Sequence, residues 1–376
     1  MKLSSVASQP SWQISSDCVQ AAVTRVGGQL APVEFRLGRR LVQPFHVAPW
    51  AGEEIGSKFP PILQVLRGDF FCMPFGGNAR AWRGEQHPPH GETANEAWTF
   101  DSVSREAKET RLHLHMDTTI RKGRVEKMLR LVEGHSAVYC RHVVTGASGP
   151  MNLGHHATLK FPASGGRIST SPITGGQVYP GVFEKPEEGG YCALKAGAPF
   201  RALSRVPLAQ GGFTDLTRYP AREGFEDLVM VSARPGDDFA WTAVVFPGER
   251  YVWYSLKDPR VLASTVLWHS NGGRHYAPWN GRHRGVLGLE EVTSHFHDGL
   301  AESSAPNPIA ARGIPTTVRL SPRRPLTVNV IMGVAAVPEG FESVTQIVRK
   351  DDGIVLRGKD RAEVAVPLDW QFLHAK

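Results

Sequence analysis

The chain has 376 residues, 41% of them hydrophobic, enough to bury a large core as two or three ordinary domains or as one large all-β domain. Its formal net charge of +7 comes from 43 basic residues interspersed with 36 acidic ones, and runs such as Arg36–Arg40, Arg121–Arg130 and Arg323–Arg324 are no denser than a solvated surface needs, which argues against nucleic acid as a partner. No stretch approaches the roughly 18 uninterrupted apolar residues of a membrane span. Cys18, Cys72, Cys140 and Cys192 lie far apart with no C-x-x-C pair, as expected of reduced thiols and not of a disulfide framework or zinc knuckle. The N-terminus carries one charge and no sustained apolar run, so no signal peptide is expected, and the expected location is the cytoplasm.

Residues 1–18 read as an N-terminal extension and 19–376 as a single domain. Alternation over Val19–Val26, a break at Gly27-Gly28, and renewed alternation over Ala31–Leu37 and Leu41–Val47 predict strands joined by turns. Pro44, Pro49, Pro60 and Pro61 then punctuate a loop-rich stretch in which helices would be interrupted repeatedly. Next come Arg67-Gly68-Asp69, Pro74-Phe75-Gly76-Gly77, His87-Pro-Pro-His90-Gly91-Glu92 and Trp98. These residues are either a solvent loop with incidental histidines or the rim of a polar-ligand pocket with Trp98 as a stacking platform.

From Ser102 to Val144 the pattern is a meander: Glu109–Met116, Thr118–Lys122, Arg124–Val132 and Ser136–Val144, with Gly123 and Gly134 at turns. Short spacings without a βαβ rhythm favour an antiparallel sandwich. In Gly154-His155-His156, consecutive side chains point to opposite faces of a strand, so at most one histidine shares a pocket face. Core residue, metal ligand and proton carrier are all open for it. Residues 163–224 are loop-rich, and Asp215 and the carboxylates of the Gly224-Phe225-Glu226-Asp227 turn are turn acids or hydroxyl ligands.

Strands follow at Phe239–Phe246, Tyr251–Leu256 and Ala263–Trp268, then a segment holding His269, Arg274, His275, Tyr276 and Trp279. In Gly285-Val-Leu-Gly-Leu-Glu290-Glu-Val-Thr-Ser294, strand alternation puts Glu290 with Val286 and Gly288, and Glu291 with Leu287 and Leu289. The leucine face packs inward, leaving Glu290 on a face that Gly288 keeps open; the alternative is two solvated acids at a strand end. Thr316–Leu320 and Leu326–Val334 are further strands, and Ile354–Leu356 with Ala362–Val366 read as a last hairpin. No internal repeat and no long amphipathic helix is evident.

The order Arg67-Gly68, Pro74-Phe75-Gly76, His90-Gly91 with Trp98, Gly154-His155-His156, and Glu290 with Thr293 resembles the galactose mutarotase-like family, closest to its aldose 1-epimerase and hexose-phosphate 1-epimerase branches, over about residues 20–335. The resemblance implies an all-β, large antiparallel β-supersandwich with a sugar cleft on a concave sheet. It also implies an isomerase interconverting α and β anomers, with Glu290 as base and His156 as acid. Arg67, His90, Trp98, Asp215, Asp227, Tyr276 and Trp279 are the expected substrate-binding residues, and a sugar or sugar acid the expected ligand. Three positions depart from the pattern. Ala-Thr-Leu follows His156 where an aromatic is usual, Glu291 replaces a proline, and Ala94 replaces an arginine, which removes part of a phosphate clamp.

Anomer exchange needs one base at the anomeric hydroxyl and one acid at the ring oxygen, with no cofactor. A non-catalytic sugar-binding protein and a glycan-cleaving enzyme, with Glu92 as a second carboxylate, are the competing readings. The clusters His87-x-x-His90, His269 with His275, and His295-x-His297 repeat no zinc spacing, so no metal is expected. Monomer and homodimer are equally compatible with the sequence.

Overall fold

In a computed structural model describing residues 1–359 and 361–376, nearly all regular structure is antiparallel β. A five-stranded sheet runs in chain order through Ser4–Val6, Gln9–Ser15, Val19–Thr24, Leu30–Leu37 and Arg40–Val42. A nine-stranded sheet carries the meander Thr99–Glu106, Glu109–Thr118, Gly123–Val132 and Ala137–Thr145 at one side, continued by Leu326–Ala336, Tyr251–Lys257 and Ala240–Phe246. An eight-stranded sheet contains Phe225–Ala233, Ser264–Asn271, Val286–Thr293 and Leu153–His155 as successive neighbours, with Ala157–Lys160 also paired to Val286–Thr293.

The main core joins these sheets, with Leu267, Leu287 and Leu289 packed in one apolar cluster with Val244, Trp253 and Val330. Such burial of branched and aromatic side chains is the main favourable contribution to folding. Behind the nine-stranded sheet, Val344–Lys350, Gly353–Gly358 and Glu363–Pro367 form a three-stranded sheet whose Ile354 and Leu356 pack with Tyr139 and Trp241. The expected last hairpin is therefore two strands of three.

Three expectations are corrected. Residues 1–18 are not an appendage: Gln9–Ser15 pairs with Val19–Thr24, and Trp12 and Ile14 are buried in the main core. Of Thr118–Lys122 only Thr118 is strand and residues 119–122 are a turn, because Glu92 accepts from the Thr119 amide at 2.9 Å, the Thr119 hydroxyl at 2.6 Å and the Ile120 amide at 3.2 Å. The run Leu41–Val47 keeps strand geometry only to Val42, just short of Pro44.

Candidate functional site

Strand register builds the site. Gly154 pairs with Val292 and Ala157 with Leu289, so an unbroken register sets His156 opposite Glu290 and His155 opposite Glu291. Opposed residues share a face. His156 and Glu290 accordingly meet on the outer face, Nε2 to Oε1 at 3.3 Å, while His155 turns inward to Asp69 at 2.8 Å. Glu291 also turns inward, where Lys257 lies 2.5 Å from it and Thr265 donates at 2.7 Å. The two adjacent carboxylates thus occupy opposite sides of one strand, one in a structural ion pair and one in a cleft.

Gly288 keeps that cleft open. A Cβ there would lie 2.5 Å from Glu290 Oε1 and 3.0 Å from the Trp268 Cβ. His156 stacks on Phe70 at 4.6 Å between centroids, and His90 meets it edge-on at 5.0 Å. The turn placing His90 requires glycine next: Gly91 has φ +76°, and a Cβ would come 2.0 Å from the Met73 carbonyl oxygen.

The cavity is ≈ 200 Å³, with Trp268, Trp279, Arg274 and His297 completing its chemically distinctive walls and Ile62, Leu63 and Leu66 an apolar side. That volume lies below the ~300–1,000 Å³ of drug-sized pockets and suits a small ligand.

Burial pushes the Glu290 carboxyl well above the ordinary range, opposed by the positive charge of Arg274. Burial likewise brings His156 down to about 4. Both effects favour the uncharged forms, a protonated Glu290 beside a neutral His156. Glu226 accepts from Nε1 of the cleft-wall Trp268 and from Ser270 Oγ, each at 2.9 Å, and burial raises it to about 7.

Of the residues singled out in the sequence, Glu290, His156, His90 and Trp279 line the cleft. Tyr276 stands behind it, its hydroxyl donating to Glu184 at 3.0 Å. The other four do not reach it. Arg67 is buried and donates to the carbonyls of Val65 at 2.9 Å, Val6 at 3.2 Å and Ala7 at 3.1 Å, binding the N-terminal hairpin to the body. Trp98 is a core residue with Nε1 on the Thr93 carbonyl at 3.0 Å. Asp215 caps its own turn through Thr217 and borders a separate groove with Arg167 and Arg218. Asp227 faces away from the cleft, accepting from the amides of Ala193 at 3.0 Å and Leu194 at 2.9 Å.

Arg274, Trp268 and His297 line the cleft and went unrecognised as site residues. Glu226, read with Asp227 as part of a turn, lies instead in the strand Phe225–Ala233, directly across from Ser270. Among the described residues, no group of three or more His, Cys, Asp or Glu side chains is arranged to hold a metal ion, and no helix is long and apolar enough to cross a membrane.

The stacked antiparallel sheets form a β-supersandwich with the galactose mutarotase-like fold. Solved structures of that kind share the fold. A galactose mutarotase-like protein from Clostridium acetobutylicum aligns with a TM-score of 0.59 at 12% identity, over 89% of this chain and 98% of that one. A candidate aldose 1-epimerase from Escherichia coli K12 aligns with a TM-score of 0.56 at 15% identity, over 87% and 99%. A galactose mutarotase related enzyme from Lactobacillus acidophilus gives 0.53 at 12% identity, over 88% and 99%. No protein-family model and no curated protein sequence matches the chain.

Proposed function

We propose that the protein is an aldose 1-epimerase-like enzyme that interconverts the α and β anomers of a sugar, with Glu290 and His156 as its acid–base pair. The observation carrying this reading is the 3.3 Å approach of His156 Nε2 to Glu290 Oε1 in a cleft walled by Trp268 and Trp279.

Ring opening removes a proton from the hydroxyl on C1 and delivers one to the ring oxygen as the C1–O5 bond breaks. Ionised Glu290 takes the first proton and protonated His156 gives the second, which leaves a neutral carboxylic acid beside a neutral imidazole. That product state is the one burial favours in the closed cleft, and it is the starting state for closure, in which the two groups exchange roles. The positive charge of Arg274, which opposes the upward shift of Glu290, favours the ionised arrangement needed for opening. Rotation about C1–C2 in the open aldehyde then allows either face to close. Trp268 and Trp279 offer apolar surfaces for the carbon face of the sugar, and His90 and His297 offer ring nitrogens to its hydroxyls.

The glycosidase alternative has less support, because Glu92, the second carboxylate it needs, is bound to the turn at Thr119 and Ile120. The test is NMR exchange between anomers of a panel of freshly dissolved aldoses, comparing wild type with Glu290→Gln and His156→Asn. Acceleration lost in both variants, with folding retained, supports the pair; sugar binding without acceleration in the wild type points to a binding protein instead.

A further inference from the structure

Arg274 is an arginine whose fork is not used by the protein. Its guanidinium lies 4.6 Å from the Trp279 ring centre, 5.2 Å from Trp268 and 5.3 Å from Phe183. Nε is tied to Glu184 at 2.6 Å, and the other oxygen of Glu184 accepts from the Tyr276 hydroxyl at 3.0 Å. These contacts hold the plane of the group, yet its two terminal nitrogens donate to no protein group, and the side chain remains 15% exposed where it lines the cleft. Arg67 in the same molecule makes the contrast: all three of its nitrogens are spent on carbonyl oxygens. A rigid, desolvated guanidinium with free terminal donors is suited to a planar anion that accepts two parallel hydrogen bonds.

The rest of the cleft narrows the anion. Arg274 is the one lysine or arginine among the side chains lining it, and it already shares its charge with Glu226, which titrates at about 7, and with Glu184. A single guanidinium facing these two carboxyls can accept at most a monoanion. A phosphate dianion would add a second negative charge with no second cation to meet it.

Resting on the reading of the cleft as an anomer-exchange site, we propose that its substrate is a hexuronate, an aldose whose C5 carries a carboxylate, and that the Arg274 fork binds this carboxylate. The geometry of the sugar agrees with the site. C5 bears both the ring oxygen, which must receive the proton from the His156–Glu290 pair, and the carboxylate carbon. A cation sharing the cleft with the proton-transfer pair therefore meets a substituent neighbouring the reacting atom.

Binding and exchange together test this. Calorimetric titration of Glu290→Gln with glucuronate, galacturonate, glucose, galactose and glucose 6-phosphate separates recognition from chemistry, and wild-type NMR exchange on the same sugars reports turnover. The uronates are expected to bind at least about tenfold more tightly than the matching neutral hexoses, the ordinary yield of a charge-assisted fork. Arg274→Gln should remove that advantage, and Arg274→Lys, which keeps the charge but not the fork, should restore only part of it. Equal binding of uronate and hexose, a preference for glucose 6-phosphate, or a uronate advantage that survives Arg274→Gln overturns the assignment. Should Arg274→Gln fail to fold, the Lys variant decides: an undiminished uronate advantage there counts against the fork. Uronate binding that depends on Arg274 but is never accompanied by faster exchange in the wild type leaves the anion site standing and removes the epimerase reading. If none of these sugars binds, both fall.

Discussion

His269 makes acid stability a quantitative test of how the core is built. It lies on the inward face of Ser264–Asn271, 3% exposed, with Tyr219 edge-on at 5.5 Å. Burial, reinforced by the positive charge of Arg222, brings it down from 6.5 to about 3. Its folded value lies below its unfolded one, so as pH falls through 6.5 the unfolded chain takes up a proton that the folded chain refuses. Stability is lost over that interval, down to about pH 3, at about 1.4 kcal/mol per pH unit. Between pH 7 and pH 5 this one side chain should cost about 2 kcal/mol. His269→Leu removes the titrating group while roughly keeping the volume, at a cost of under about 1.5 kcal/mol at pH 7. Urea unfolding of both proteins at pH 8, 7, 6 and 5 reads the difference. The variant should gain about 2 kcal/mol on the wild type between pH 7 and pH 5. Stability curves that stay parallel across that range would refute a buried, neutral His269.

Other outcomes follow from the same geometry. The pH profile of kcat/KM should fall on the acid side as His156, at about 4 in the free protein, takes up a second proton for the pair, and on the alkaline side only once the raised Glu290 carboxyl ionises in full. A profile with an ordinary histidine inflection near 6.5 and none lower would contradict this. Gly288→Ala sets a methyl group 2.5 Å from the present position of Glu290 Oε1, so the carboxylate must move, and kcat should drop by about 100-fold with little change in melting temperature. Activity within a few-fold of wild type would show that the position of Glu290 is not critical. Trp12→Ala should cost about 3–5 kcal/mol by denaturant unfolding, because the indole is part of the main core; a loss under about 1 kcal/mol would restore the view of residues 1–18 as an extension.

What was legible in the sequence was whatever depends on period-two alternation. The all-β class, most strand positions, and the division of Glu290 and Glu291 between two faces all follow from where leucine and valine recur. The pairing of one His-His residue with the cleft was predictable only as a choice between two. Where the inference failed, residue type stood in for direction: Arg67 and Trp98 have the chemistry of sugar ligands, but their polar atoms are consumed by carbonyl oxygens of Val6, Ala7, Val65 and Thr93. Asp215 and Asp227 are likewise occupied by backbone amides of their own surroundings.

The sequence by itself determined which residues of each strand share a face, because that is a local property of extended backbone. Tertiary structure alone decided register, which is set by how whole strands slide against one another. The unbroken alignment of Gly154 with Val292 and Ala157 with Leu289 makes His156 and Glu290 neighbours although more than a hundred residues separate them. Register and loop packing also decide that Arg274, unremarkable as one residue in a Gly-Gly-Arg-His turn, is held among Trp268, Trp279 and Phe183 with its fork free. A charged side chain gains chemical meaning from what surrounds it, and those surroundings come from strands and loops distant in the chain.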